Sequence, residues 1–506
     1  MARFGQPVKE SHGRRTPHAV LAGVLCVLSL FSVLLTSCTA PPALVAWDPL
    51  SLTSHAPDRD WKPPQDAAEL RAAPDAWRVG EDEALPRAGE RYDLPAIVDL
   101  ALRNNPSTRR AWQEARAAAA RYGRSLSDYY PEVSVEASAG TERFLFQNDP
   151  APITIKQDSF TPQLELTWTL IDFGRREHGA EIARQQLVAA NLAFNREMQD
   201  VVFNAQRAYF ALDAAKAMER AAERNLELAR SVREAAEERL ALGLATQPDV
   251  LLAKQVEAKA VYDLESASVM VSDAQANLAL AIGVPANAAL DIVSLEELPL
   301  PKRLGVTVED VIDTALQQRP DLAARVAELR ASEAAIGKAR AELFPTLGFS
   351  GLYGEDIWRY SVNGGPRDDA RSPNYAWLVN VEWDLFTGFD RLNAIREAEA
   401  QRDAARARLA SLELETTAAV WRAYFNYRAA RKKYEYAEAL LRASQDAYEA
   451  NRESYGLGLN TIVELLTGER DLANARYLVI QGRAELLMRS AELAWAAGAM
   501  SVGALR

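Results

Sequence analysis

The chain predicts a mainly α fold with a small antiparallel β part, built twice over. Three observations carry this: an internal repeat covering most of the 506 residues, two proline-free stretches of more than sixty residues, and four short segments of alternating polarity. The repeat comes first, because the others lie inside it. Shifting the chain by 214 or 215 positions lays Pro106 on Pro320, Pro131 on Pro345, Trp168 on Trp383 and Tyr209-Phe210 on Tyr424-Phe425. The same shift lays Gly243-Leu244 on Gly458-Leu459, Thr246 on Thr461 and Gly283 on Gly498. Chance does not align Pro, Gly and Trp punctuation over such a span. The chain is therefore a duplicated unit, roughly 93–283 and 307–498, with a Pro-rich linker at 284–306 and a tail at 499–506.

Each unit reads alike. A short helix (94–104; 308–318) leads to a second helix opened by Pro106 or Pro320, since proline is tolerated in a first turn. That helix stops before Pro131 or Pro345. Two strands follow, expected at about 131–146 and 161–172 in the first unit and 345–357 and 375–386 in the second. A very long helix (about 175–242; 390–457), a Gly-Leu turn and a last helix (about 247–282; 462–498) complete the unit.

The long helices have no proline between Gly174 and Gly243 or between Gly388 and Gly458. At 1.5 Å per residue each spans on the order of 100 Å, against about 12 residues for an average helix. Such a helix holds only by packing along its length. Ala208, Ala215, Ala222, Ala229 and Ala236 recur every seven residues, and their mates are Ala423, Ala430, Ala437, Ser444 and Asn451. Beside the second series run Val420, Tyr427, Tyr434, Leu441, Tyr448 and Tyr455. Small residues next to large ones at a seven-residue period predict knobs-into-holes packing and a left-handed supercoil.

The strands show a period of two. Val133, Val135, Ala137 and Ala139 alternate with Ser134, Glu136 and Ser138, and Leu164, Leu166 and Trp168 with Gln163, Glu165 and Thr167. In the second unit Leu347, Phe349, Gly351 and Tyr353 mark one face, and Trp377, Val379, Val381 and Trp383 oppose Asn380, Glu382 and Asp384. The lengths suit tilted membrane strands, with loops 147–160 and 358–374 outside. Glu136, Glu165, Glu382 and Asp384 then share an inner, acidic face. A half-buried soluble sheet is the competing reading, with the long helices serving as a periplasmic coiled-coil scaffold and no channel. Four strands cannot close a barrel, and open edges are not tolerated in lipid, so a membrane role requires several copies in a ring.

Residues 1–37 read as a secretory leader: Arg3, Lys9, Arg14 and Arg15, then an apolar run from Ala19 to Leu35, then Leu35-Thr36-Ser37-Cys38. An uncleaved anchor is the alternative, since the run reaches the lower edge of spanning length. Beyond the leader stands a single cysteine, Cys38, so no internal disulfide can form. Leu-Thr-Ser-Cys resembles the bacterial lipoprotein processing site, which implies a covalent lipid, palmitate included, on Cys38. Thr39 after it, rather than an aspartate, implies the outer membrane. An irregular arm, 38–92, follows. Without the leader, 54 basic residues stand against 69 acidic ones, from 58 against 70 in the whole chain. A net charge of −15 argues against nucleic acid as a partner.

Nothing points to an enzyme. Of four histidines, His12 and His18 lie in the leader; His55 and His178 have no ligand spacing and are expected at the surface. No phosphate-loop motif is present, and no cofactor or metal is implied.

The lipoprotein cysteine, the duplicated order of elements, Leu170-Ile171-Asp172-Phe173-Gly174-Arg175 after a strand, its mate Leu385-Phe386-Thr387-Gly388 and the Gly-Leu turns together resemble the TolC-like outer-membrane efflux proteins over about 93–498. The resemblance implies a homotrimer with a twelve-stranded barrel in outer-membrane lipid and a helical tube in the periplasm. It implies a periplasmic adaptor protein, an inner-membrane pump, and a passive exit duct for efflux or type I secretion of drugs or metal cations. It assigns adaptor docking to the tips at Gly243, Leu244 and Thr246 and at Gly458, Leu459 and Thr461. Asp249 and Glu464, just past the tips, match acids that line a periplasmic gate. Thr467 stands where a second acid is usual, a departure from the pattern.

Overall fold

A computed structural model describes residues 86–500, apart from 88, 148–150, 289, 296–299 and 301–304. These all lie in one compact unit, Val79–Arg506. The leader, Cys38 and most of the arm lie outside the described residues. The elements are β1 (Arg91–Tyr92), α1 (Leu94–Asn104), α2 (Pro106–Ser125), β2 (Glu132–Phe146), β3 (Ile153–Ile171), α3 (Arg175–Ala241) and α4 (Gln247–Ile282). After β4 (Asp291–Ile292) the order repeats as α5 (Val308–Gln318), α6 (Pro320–Ala341), β5 (Thr346–Val362), β6 (Asp368–Glu382), α7 (Asp390–Gly456) and α8 (Ile462–Ala496). No described helix is long and apolar enough to cross a membrane.

Both long helices have 67 residues. Their alanine stripes are the packing seams: Ala215, Ala222, Ala229 and Ala236 are buried in α3, and Ala423, Ala430, Ala437 and Ser444 in α7. Small side chains let α4 and α8 lie close against them, and Val420, Tyr427 and Tyr448 fill the space beside. Two residues of the linker form a strand. β4 pairs in parallel with β1, Arg91 opposite Asp291. Tyr209, fully buried in α3, ties the pair down by donating its hydroxyl to Val293 O at 2.6 Å.

The sheet runs β2-β3-β5-β6, every neighbour antiparallel. Strands extend well past expectation: β3 starts at Ile153, β5 runs to Val362 and β6 starts at Asp368. Most of the expected outer loops 147–160 and 358–374 is therefore hydrogen-bonded sheet. At the other end β6 stops at Glu382, so Asp384 is not a strand residue. Trp383 leaves the ladder to donate Nε1–H to Leu343 O, as its mate Trp168 donates to Tyr129 O, each at 3.1 Å. Arg391 then holds Asp384, donating to its carbonyl at 2.8 Å and its carboxylate at 2.6 Å. The mate Arg176 donates to Thr169 O, Leu170 O and the Asp172 carboxylate. Each strand-to-helix corner is thus pinned by one Trp and one Arg, with left-handed residues Phe173-Gly174 and Gly388-Phe389 making the bend. His178 is half-buried rather than solvated: its ring fills the space over Gly337 of α6, where a Cβ has no room.

The two units interlock. α6 packs on its own α7 and also on α3 of the first unit, whereas α2 packs on α3. Trp495 of α8 stacks on Phe203 of α3 at 5.2 Å between centroids, under Arg196.

One core group is costly. Glu469 of α8 is buried, and its Oε2 has no hydrogen-bond partner among the described residues. Burial pushes its carboxyl up to about 7, against the pull of Arg476. A group whose folded pKa lies above its unfolded value of about 4.3 binds more protons in the native state. Its stabilising contribution is complete below the unfolded value and is lost as pH rises through the folded one. Relative to the parent, Glu469→Gln is expected to flatten the fall in unfolding temperature between pH 4.5 and 7 and to be the more stable form at pH 8. Parallel curves for the two proteins over that range would refute the assignment.

Candidate functional site

Two places gather the sequence-derived candidates: the ends of the helical pairs and one face of the sheet. At the first tip, α3 ends in a Schellman arrangement. Gly243 at φ 73 donates to Leu240 O at 3.0 Å, and Leu244 donates to Arg239 O at 2.8 Å. The second tip repeats it with Gly458 at φ 74, Tyr455 O at 3.1 Å and Ser454 O at 2.8 Å. A positive φ is what lets the chain reverse there, so glycine is required at both. The reversal pushes Leu244 and Leu459 into solvent, 65% and 75% exposed, with Leu242 and Leu457 equally bare beside them. Two bare leucine pairs at the ends of long polar rods form sticky knobs.

Thr246 and Thr461 open the returning helices. The Asp249 carboxylate accepts from Thr246 N–H at 2.8 Å and Oγ1–H at 2.7 Å. Glu464 accepts the same pair from Thr461, at 2.7 and 3.0 Å, and its own N–H donates to Thr461 Oγ1. These hydrogen bonds hold both carboxyls below the usual range. Asp249 and Glu464 are thus the acid members of two capping boxes. A gate ring is not something their geometry requires. Across the tips, Arg239 donates to Tyr455 O at 3.1 Å and lies 4.7 Å from that ring, linking the end of α3 to the end of α7. This tie escaped the sequence reading, because neither residue belongs to a local motif.

The register settles the faces of the sheet. Glu136 stands opposite Gln163, Ser134 opposite Glu165, Glu165 opposite Leu352, Leu352 opposite Ala376, and Thr346 opposite Glu382. Glu136, Glu165 and Glu382 therefore share one face. Asp384 lies past the end of the ladder, so the register assigns it no face; it lines one cavity with Glu382 and Thr346. The register adds Glu132, Glu142, Asp356 and Asp368, giving seven acids there. The four basic residues of these strands, Arg143, Lys156, Arg359 and Arg371, all stand on the opposite face. In β2 and β5 the period of two alone could have found Glu132, Glu142 and Asp356; Asp368 fell in an expected loop.

The opposite face carries Val133, Val135, Leu164, Leu166, Phe349, Val379 and Val381, with Trp377 lying over Gly351 and stacked 6.1 Å from Phe349. Val135 and Val381 are among the most exposed side chains of the sheet. Along β5 and β6 the apolar-face positions 353, 375 and 377 are exposed, while the acidic-face positions 352, 354, 374 and 376 are half-buried. Over these rungs the acidic face is the more enclosed, concave side, while 378, 380 and 382, nearer the helices, are exposed on it. An apolar convex face over an acidic concave one is what a barrel wall needs when lipid lies outside and water inside. No group of His, Cys, Asp and Glu among the described residues is arranged to hold a metal ion.

Comparison with known proteins agrees with this geometry. The family model described as "Outer membrane efflux protein" matches residues 97–284 and 311–499. Protein CyaE of Bordetella pertussis is 30% identical over 421 residues, 82% of this chain and 86% of that one. Outer membrane protein OprJ of Pseudomonas aeruginosa is 26% identical, over 75% of this chain and 78% of its own. Among solved structures, the outer-membrane channel OprN superposes with a TM-score of 0.69 at 22% identity, covering 87% of this chain and 98% of that one. CusC gives 0.68 at 20%, covering 87% and 99%. The fold, the acid-lined concave face and these likenesses converge: the chain is an outer-membrane channel protein reaching into the periplasm, a transport component rather than an enzyme, and it belongs to the outer membrane efflux protein family.

Proposed function

We propose that three copies close into one passive exit duct for small molecules, drugs or metal cations among them, anchored by an acylated Cys38 and docked at its periplasmic tips to an adaptor protein and through it to an inner-membrane pump. The observation that carries this is the join between the two units. β3 of the first pairs with β5 of the second, while β2 and β6 are left as bare edges of fifteen residues each. The repeat states what belongs there. β6 is the mate of β3, and β2 the mate of β5, so β6 pairs with β2 of the next copy. A head-to-tail contact of this kind generates a ring, and three times four strands falls within the known range of membrane barrels.

The helices support the same closure. α6 is seated between α7 and α3; its mate α2 packs on α3, the mate of α7, and lacks the counterpart of α3, which would be an α7. Phe210 of α3 is 7% exposed, whereas its mate Phe425 of α7 is 41% exposed, beside the equally bare Trp421. The surfaces left open are the mates of the surfaces that the units use on each other.

Carrying the Leu164–Tyr353 pair through the repeat puts Val379 opposite Ala139 of the neighbour. In the double variant Ala139→Cys, Val379→Cys, a short bifunctional thiol reagent is expected to give covalent species ending at three copies. A ladder that continues past three, or no linkage in the membrane, counts against the ring.

Leu244→Ser combined with Leu459→Ser is expected to lower export by tenfold or more while trimer assembly and bilayer conductance persist, because only the docking knobs are lost. Unimpaired export would remove the tips from the docking surface. Replacing Glu136, Glu165 and Glu382 by Gln is expected to shift the single-channel reversal potential in a salt gradient towards zero cation preference. An unchanged reversal potential would show that the concave acids do not select.

A further inference from the structure

Beyond the apolar band, the polarity of the sheet turns inside out. At the level of the lipid, apolar side chains stand on the convex face and acids on the concave one. Near the hairpin ends the concave face carries Phe144, opposite Ile155, which is opposite Val362, with Phe146 opposite Ile153 one step further. The convex face at those rungs carries Arg143 opposite Lys156, Lys156 opposite Ser361, and Asp158 opposite Arg359; Leu145 is the exception. Phe144, Phe146 and Val362 remain 41%, 49% and 42% exposed. The two phenylalanine rings sit 6.3 Å apart, side by side along the strand. A water-filled passage gives no reason for five large apolar side chains to face inward above a belt of acids.

At the outer end of the sheet β3 is tied to the residue that follows β5. Asn363, in the left-handed region, pairs with Thr154 in both directions, its N–H donating at 2.8 Å and its Oδ1 accepting at 2.7 Å. The apolar rungs are therefore held in register at their far edge and keep their inward direction.

We propose that Phe144, Phe146, Ile153, Ile155 and Val362 form an apolar neck at the outer mouth of the duct, a second constriction that discriminates against hydrated ions and admits cargo with an apolar body. The inference rests on the three-copy channel reading. A wall of twelve strands has a radius on the order of 12 Å. Side chains reaching in by about 6 Å from three of the four strands of each copy narrow the opening; β6 begins one rung lower, with Asp368 opposite Tyr360. A narrow passage lined this way loses water readily and obstructs ions without being sealed, as hydrophobic constrictions in channels do. The acids beneath then gather cations, and the neck above sets which of them leave. A cation carrying an apolar portion exchanges water for the neck at little cost. A bare hydrated ion does not.

The test is single-channel recording of the full-length protein in planar bilayers, in potassium chloride. The variant Phe144→Ser, Ile155→Ser, Val362→Ser is expected to conduct severalfold more than the parent and to admit neutral polyethylene glycols of larger size. The variant Phe144→Leu, Ile155→Val keeps the neck apolar and is expected to stay near the parent value. Phe144→Ser alone, the mildest change, moves conductance the same way by less. Heat-modifiable migration of each sample reports its assembly. Assembled serine variants with the parent's conductance and polymer cutoff overturn the neck and leave the channel standing. Assembled parent and variants that are all silent overturn the channel reading, and the neck with it.

Discussion

Unpaired backbone is the constraint on which this architecture turns. Inside lipid an N–H or C=O without a partner costs several kcal/mol, and β2 and β6 each present a whole edge of them. No rearrangement within the chain removes both edges, since β3 and β5 already occupy the middle. The duplicated sequence answers the problem by making the two edges complementary to each other. In the proposed ring one pairing, used inside the chain at β3–β5, serves again between chains. The same logic extends below the membrane, where α7 and α2 offer in one copy what α3 and α6 have already satisfied.

The corner between sheet and helix carries that logic from one layer to the next. Trp168 and Trp383 tie strand ends to the preceding helical segments, and Arg176 and Arg391 gather the carbonyls that the turning chain leaves unpaired. With both corners fixed alike, the direction in which α3 and α7 leave the sheet is set twice by the same chemistry. A wall of strands thus continues as a wall of helices without a flexible hinge between them. Along the helices, alanine at seven-residue spacing does the rest by letting neighbours approach closely over about 100 Å.

Much of this was legible in the sequence because its signals are local. Gly243, Gly458, Pro106 and Pro320 mark helix ends through backbone geometry alone, and α1, α3, α4, α5 and α7 begin and end within a residue of expectation. The strands were legible only where lipid imposes its pattern. Past the apolar band, Lys156, Asp158, Arg359 and Asp369 look like loop residues, yet they stand in continuous ladder, Lys156 beside inward Ile155 and Arg359 between inward Trp358 and Tyr360. The period persisted while its sign reversed. Asp384 was misplaced for a related reason: alternation cannot show that Trp383 and Arg391 have drawn the chain out of the sheet. Asp249 and Glu464 sit in threonine-x-x-acid motifs, which read equally as caps or as pore acids; the carboxylates accept from Thr246 and Thr461, which makes them caps and does not bear on the pore reading. Contacts between the units, such as Arg239 with Tyr455, have no signature in a single sequence.

The two tips are alike in backbone but not in chemistry. The first presents Ala245 and Asp249; the second presents Asn460, whose amide donates to Asn451 at 3.1 Å, and Glu464. In a ring of three copies, six seats of nearly sixfold shape alternate between two kinds. A partner able to use every seat must arrive as three unlike pairs, or tolerate both surfaces. Selection acting on one kind of seat leaves the other free to drift, so stoichiometry and affinity can evolve separately on one scaffold.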